Sequence, residues 1–503
     1  MAALDYLRRC APLLLIAFCG LCPAQTRTLL HHQLEALGEH PQQAQIAALL
    51  ATPAQGLDPA QFAVATPGGR GRVSLTSLFS AQAGSWPFEP FVSSGLFRVI
   101  ADYQAHHPQA LLLDDGSLSL EQLAKVLNDP RILKPHKDGY LLSYPLLIGP
   151  RGALLVEDQR LYLNSRAGAA LINRGQLVLR RARLQSWAGE QSQLAAKPFR
   201  PFIMAWAGSF TLIEQSQLAR LGYNAHLARG LTSRRSAQQP AATPPARVLI
   251  RASELREMAS GVELHDSLAL IEDSQFSELQ QYGLDLSASR VGIARNRISN
   301  VRNHSGIRLR DGSAGLIADN LIGNLGKSAI EAQLQGGALI LQNNRIGGTG
   351  ASAIVLTGSP QQPAEGLLVA GNLIGNSQGS GIDGQHIGRA LIIDNRISGN
   401  PEYAIRIRNE PPLPGEISLL GNQLGNVGKA MIHLQGVNRL LLGGNHYLGL
   451  ASQQHILDGD LLPVQSLLLE TTLKHGCVAQ LDLLAEQQPS APLQRAPRCG
   501  QSI

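Results

Sequence analysis

The stretch ARNRISNVRNHSGIRLRDGSAGLIADNLIGN, residues 294–324, decides how this chain folds. Within it Asn296 and Asn320 each follow a short apolar strand and precede another apolar pair. The same context returns at Asn344, Asn372, Asn395, Asn422 and Asn445, at intervals of 24, 24, 28, 23, 27 and 23 residues. About halfway between successive Asn residues lies a second strand: GIRLR (306–310), AIEAQ (329–333), AIVLT (353–357), GIDGQ (381–385) and AIRIR (404–408). Short strands between Gly and Asn turns, at a period in the twenties, fit a solenoid in which each coil stacks on the last. Leucine-rich repeats share that period but need Leu on a fixed frame and a helical return. These coils instead carry Ile, Val and Leu in short strands without a long helical segment. The expected fold is therefore all-β, a right-handed parallel β-helix with a small N-terminal cap. The repeated Asn is read as an internal ladder residue at a bend, with no chemistry of its own.

Outward from this core the pattern weakens. Coils extend upstream through YGLDLS (282–287), SGVELH (260–265) and residues 211–234, and the β-rich stretch 140–210 reads as a continuation. The resulting division is a β-helix over 106–450, an accessory or cap region over 25–105 and a C-terminal cap over 451–503. Residues 28–50 read as helical. The Pro/Ala tract at 236–246 (SAQQPAATPPA) reads as a flexible excursion between coils. Caps have a physical reason, since an open solenoid end exposes unpaired strand edges.

Composition agrees with a turn-rich, ordered chain: 503 residues, 44% hydrophobic, only 16% charged, with 51 Gly. Aromatic residues are 4%, too few for a groove built chiefly on stacked rings, so charge must do more of any binding. Residues 1–24 read as a secretory signal peptide, with Arg8 and Arg9 ahead of the apolar run 13–21 and Cys22-Pro23-Ala24 at the cleavage point. Bulky Phe18 and Leu21 before Cys19 and Cys22 argue against a lipid anchor. Export to the periplasm, without membrane insertion, is the expectation. The chain has 43 Lys and Arg against 37 Asp and Glu, and losing Arg8, Arg9 and Asp5 leaves a small positive excess that suits an acidic partner. Cys477 and Cys499 are the two cysteines left after the signal, and an even pair in an oxidising compartment reads as one disulfide.

Alternate side chains of a strand face opposite ways. With Ile307 and Leu309 inward, Arg308 and Arg310 face out. The same frame gives an outward column of Glu263 and His265, Asp285 and Ser287, Arg308 and Arg310, Glu331 and Gln333, Val355 and Thr357, Asp383 and Gln385, Arg406 and Arg408. Coils about 4.8 Å apart make this a track suited to an extended polymer. Arg308, Arg310, Arg406 and Arg408 read as carboxylate clamps, since guanidinium meets carboxylate in a bidentate fork. Glu331, Gln333 and Asp383 complete the candidate substrate-binding set.

The blocks FRPFIMAWAGS (199–209) and RLGYN (220–224) resemble the periplasmic mannuronan C-5 epimerases of bacterial alginate biosynthesis. Looser likeness runs through GSLSLEQLA (116–124), residues 161–187, SQFSEL (274–279) and AIRIRN (404–409), covering most of 110–480. The resemblance implies a β-helix whose groove binds polymannuronate and inverts C-5. It also implies an anionic polysaccharide as partner, together with a periplasmic polymer-export complex. A base must remove the proton α to a carboxylate, a cation must steady the developing charge, and an acid must return a proton. In the family that base is the His of an Asp-Pro-His-Asp motif. GIRLRDGS (306–313) aligns with it, putting Arg308 and Leu309 first, Arg310 where the His belongs, and only Asp311 unchanged. Arg is a poor general base. The family's neutralising Arg falls near Leu334.

Asp311, His304 and His265 are therefore the candidate catalytic residues, with His386 as a further histidine beside the column. Two readings remain: an epimerase-type enzyme with a relocated site, and a non-catalytic relative that guides or shields polymer. A lyase or hydrolase is weaker, because hydrolysis needs paired carboxylates that the column does not offer. No cofactor, metal or nucleic-acid partner is implied.

Overall fold

The computed structural model describes residues 31–37 and 57–484, apart from 64–65, 83, 93–95, 106, 190–198 and 450–454. The expected signal peptide at 1–24 lies outside them. Each coil contributes three strands rather than the two read from the sequence. The coil around Arg308 shows the order: Ile307–Arg310 in a first sheet, Ala314–Ala318 in a second, Leu321–Leu325 in a third. Through the stack the strands pair in parallel with their equivalents one coil away, as Ile307 does with Leu284 and with Ile330, while strands at the ends, such as Leu133–His136 on Gly139–Leu142, pair antiparallel. The third sheet alone contains 14 strands. Together the sheets form a right-handed parallel β-helix around one continuous aliphatic core that includes Leu154, Leu284, Ile307, Ile330, Ile382 and Ile432.

The Asn ladder runs through the bend between the second and third sheets. Asn320 Oδ1 accepts from the backbone N–H (2.9 Å) and Nδ2 (3.1 Å) of Asn296, and Asn344, Asn372, Asn395, Asn422 and Asn445 repeat the arrangement. All are buried, so these amides satisfy backbone groups that water cannot reach. Upstream the ladder continues with Ser: the backbone N–H groups of Ser216, Ser253 and Ser274 donate to Ser253 Oγ, Ser274 Oγ and Asn296 Oδ1. This substitution of one acceptor for another is why the upstream coils look weak in sequence. The residue before each rung has positive φ, as at Asp273, Arg295, Asp319, Asn343, Gly371 and Asp394. Asp, Asn and Gly tolerate that conformation best, which accounts for the recurring Asp-Asn and Gly-Asn pairs.

The ends depart from the sequence reading. His31–Leu37, expected within a helix, is a strand antiparallel to Val478–Leu484, which itself pairs with the last coil through Arg439↔Asp482 and Leu440↔Leu481. The chain's N-terminal part therefore lies on the C-terminal edge, where a helix would leave the backbone groups of that edge unpaired. At the other end, helix Leu120–Leu127 carries a Ser119/Gln122 capping box and covers the first coil. The described residues of 57–105 pack on the flank of the early coils. There Phe88, Phe91, Leu96 and Ile100 form a second core with Phe202 and Trp206, and Trp206 Nε1 donates to the Pro87 carbonyl at 3.0 Å. The Pro/Ala tract is also not loose. Gln239 Nε2 donates to Ala207 O (2.8 Å), Arg235 Nη1 to Thr243 O (2.6 Å) and Ser236 Oγ to Glu89 (3.0 Å). Cys477 is disulfide-bonded, and its expected partner Cys499 lies outside the described residues.

Candidate functional site

The outward column follows from the first sheet's register. Glu263 pairs with Asp285, Asp285 with Arg308, Arg308 with Glu331, Glu331 with Val355, Val355 with Asp383 and Asp383 with Arg406. It runs on to His433 and Asp458 at one end and back to Thr232 at the other.

Most of its cations are already engaged. Arg308 reaches across one coil to Asp285 in a bidentate pair (2.9 and 2.6 Å), and Arg310 adds a third contact at 3.2 Å. The Asp285 side chain is fully buried beneath them, so it holds the two guanidiniums in place. Arg308 also lies 3.9 Å over the Tyr282 ring, which stacks on His304 at 4.5 Å. Arg406 repeats the motif on Asp383 and contacts Glu402, which pairs with Lys429 at 2.9 Å. Three of the four arginines read as free clamps thus have internal carboxylates. Arg408 has no ion pair among the described residues, and its half-buried side chain leaves Nε without a partner. Glu331 accepts from Ser305 Oγ at 2.9 Å, while Gln333 is exposed.

The candidate catalytic residues separate. Asp311 and His265 come together through Ser287: Ser287 Oγ donates to Asp311 and lies 3.0 Å from His265 Nδ1. His304 stays apart under Tyr282, and His386 Nε2 lies 3.0 Å from the Glu410 carbonyl. Leu334 is buried in the core, so that position offers the column no charge.

A cavity of about 420 Å³ opens at His265, lined by His226, Arg229, Arg234, Glu263, Ser287, Arg310 and Asp311. A wider one of about 880 Å³ adjoins it across Arg234 and His265, with Ser85, Glu89, Val92 and Gln238 as its far wall. Burial, then the Arg234 charge, pushes both His265 and His226 below the usual histidine range. Burial likewise raises Glu89. Among the described residues no three His, Cys, Asp or Glu side chains gather to hold a metal ion.

Sequence reading missed Arg234, His226 and the wall. Arg234 was available in principle: Ser233 pairs with Leu264, so extending the frame by one coil puts Arg234 beside His265. His226 sits in a turn outside any strand period, and Ser85, Glu89 and Val92 of the wall come from more than a hundred positions away.

Fold and site together define a parallel β-helix protein with a charged, coil-to-coil column opening into a cleft. A family model described as "Right handed beta helix region" matches residues 242–383. A mannuronan C5-epimerase of Pseudomonas putida is 25% identical over 355 residues, 68% of this chain and 62% of the relative, so the match stops short of two thirds of that protein. One from Pseudomonas fluorescens is 33% identical over 122 residues, 23% of each chain. A crystal structure of the periplasmic alginate epimerase AlgG superposes with a TM-score of 0.62 at 17% identity, covering 80% of this chain and 96% of that one. The chain is thus similar in sequence to mannuronan C5-epimerases and shares its fold with the periplasmic alginate epimerase.

Proposed function

We propose that this protein acts in the periplasm on an extended anionic polysaccharide of the polyuronate kind, bound along the outward column. The observation that carries the reading is the unbroken register of outward rungs from Thr232 to Asp458, polar at every position but Val355, with a cleft at one end. A polymer with one carboxylate per sugar meets cations held at fixed spacing. Internal carboxylates hold Arg308, Arg310 and Arg406 in position, and Arg408 remains to take a ligand carboxylate. Relationship to the mannuronan C5-epimerases supports chemistry at the carbon α to that carboxylate. A non-catalytic, polymer-guiding role is the second reading, favoured by Arg310 standing where the family motif has its base.

The test is calorimetric binding of polymannuronate and polyguluronate, paired with NMR of incubated polymannuronate. Arg408→Ala should weaken binding by about 1–3 kcal/mol, the cost of a lost charged hydrogen bond, and Arg310→Ala by less. Binding should fall steeply with added salt. No measurable affinity for either polymer would sink the reading. A changed mannuronate-to-guluronate ratio favours the enzyme, and binding with an unchanged ratio favours the guide.

A further inference from the structure

His265, Ser287 and Asp311 come from three successive rungs and meet at the smaller cavity. A carboxylate only accepts hydrogen bonds, so the Ser287 hydroxyl proton points to Asp311. Ser287 Oγ is then left to accept, and the group facing it at 3.0 Å is His265 Nδ1, which must carry the ring proton. A neutral imidazole has one such proton. The lone pair therefore sits on Nε2, for which the described residues supply no hydrogen-bond partner. Beside it on the preceding coil stands Arg234, exposed and without an ion pair among the described residues, donating only to His226 Nε2 at 3.0 Å. Arg234 and His265 line both cavities.

We propose that this cleft is a proton-transfer site, in which His265 Nε2 removes the proton α to the carboxylate of a bound uronate residue while Arg234 holds that carboxylate. It rests on the polyuronate reading above. The C–H bond breaks, its proton passes to Nε2, and its electron pair moves into the carboxylate as an enediolate facing Arg234. Water returns a proton to the carbon from the opposite face. The hydroxide left behind takes the proton from His265, which restores the relay. Asp311 and Ser287 are positioning residues: they hold the tautomer that leaves Nε2 free. His265 lies two coils, roughly 10 Å, from the rung where the family motif aligns, and Asp311 at the end of that rung lines the same cavity.

The test uses the whole chain with polymannuronate in deuterated water, reading deuterium at C-5 by NMR and binding by calorimetry on the same samples. The unmodified protein should exchange C-5. His265→Gln should lower exchange about 100-fold or more while binding stays within about threefold, as expected for loss of a general base. Ser287→Ala should lower exchange with its melting temperature little changed, so the test survives if His265→Gln folds poorly. Binding without exchange by the unmodified protein, or exchange that persists in His265→Gln, overturns the site and leaves polymer binding standing. Absence of binding overturns both.

Discussion

Arg234 acts on the protonation of His265. Burial is the larger cause holding His265 below the usual histidine value, and Arg234 adds to it. Asp266 and Asp311 pull the other way, while Arg310 reinforces Arg234. His226, Arg229 and Glu263 also face it from the smaller cavity, and Glu89 and Arg235 from the wider one. Imidazolium cannot accept a proton, so C-5 exchange should fall as pH drops through the folded-state value, with its half-point below about 6.5. Arg234→Gln removes a neighbouring cation and makes the imidazolium less costly. The half-point should then move to higher pH, alongside a lower plateau from the lost carboxylate contact. A pH profile of exchange for both proteins checks this, and an unmoved half-point would show that Arg234 does not act on His265.

At the scale of the element, the Asn ladder is the coil's main polar contact. Asn344 shows what one rung does: its Oδ1 accepts from the backbone N–H and Nδ2 of Asn320, while its Nδ2 donates to Ile317 O and to Asn372 Oδ1. All of this is buried. Asn344→Ala would leave several buried polar groups unpaired and should cost about 3 kcal/mol or more, read as a shift in the denaturant midpoint. Asn344→Ser should be milder, because Ser253 and Ser274 already act as rungs upstream. The aromatic block 199–209 has a comparable structural role. Phe202 and Trp206 anchor Phe88, Phe91, Leu96 and Ile100 against the coils, and Trp206 also lines the wider cavity.

For the whole molecule, the C-terminal closure decides whether the solenoid stays single. Val478–Leu484 covers the second-sheet edge at Arg439–Leu442, and His31–Leu37 covers Val478–Leu484 in turn. Ending the chain after residue 476 would uncover that edge and also remove the disulfide at Cys477. Exposed parallel edges recruit other chains, so the truncated protein should self-associate, seen as a higher mass by light scattering after size exclusion. A monodisperse truncated protein would mean that the edge is covered by something else.

Two periods in the sequence by themselves determined the stack and the column. The two-residue alternation within strands places Ile307 and Leu309 inside and Arg308 and Arg310 outside, and a coil of 22 to 28 residues puts equivalent positions on top of one another. Both are local or near-local, so the surface track from Glu263 to Arg408 was legible before any coordinates. Which outward charges are free depends instead on pairing across coils: Asp285 occupies Arg308 and Arg310, Asp383 occupies Arg406, and Arg234 and Arg408 find no acid among the described residues. No alternation encodes that choice, because side chains on adjacent rungs select partners by reach and burial. The helical reading of 28–50 failed at 31–37 for a similar reason: an edge hundreds of residues away supplies the hydrogen bonds that make that segment a strand. Only the tertiary structure, which brings Glu89 and Gln238 alongside His265, turned one stretch of an open track into a cleft where a proton can be moved.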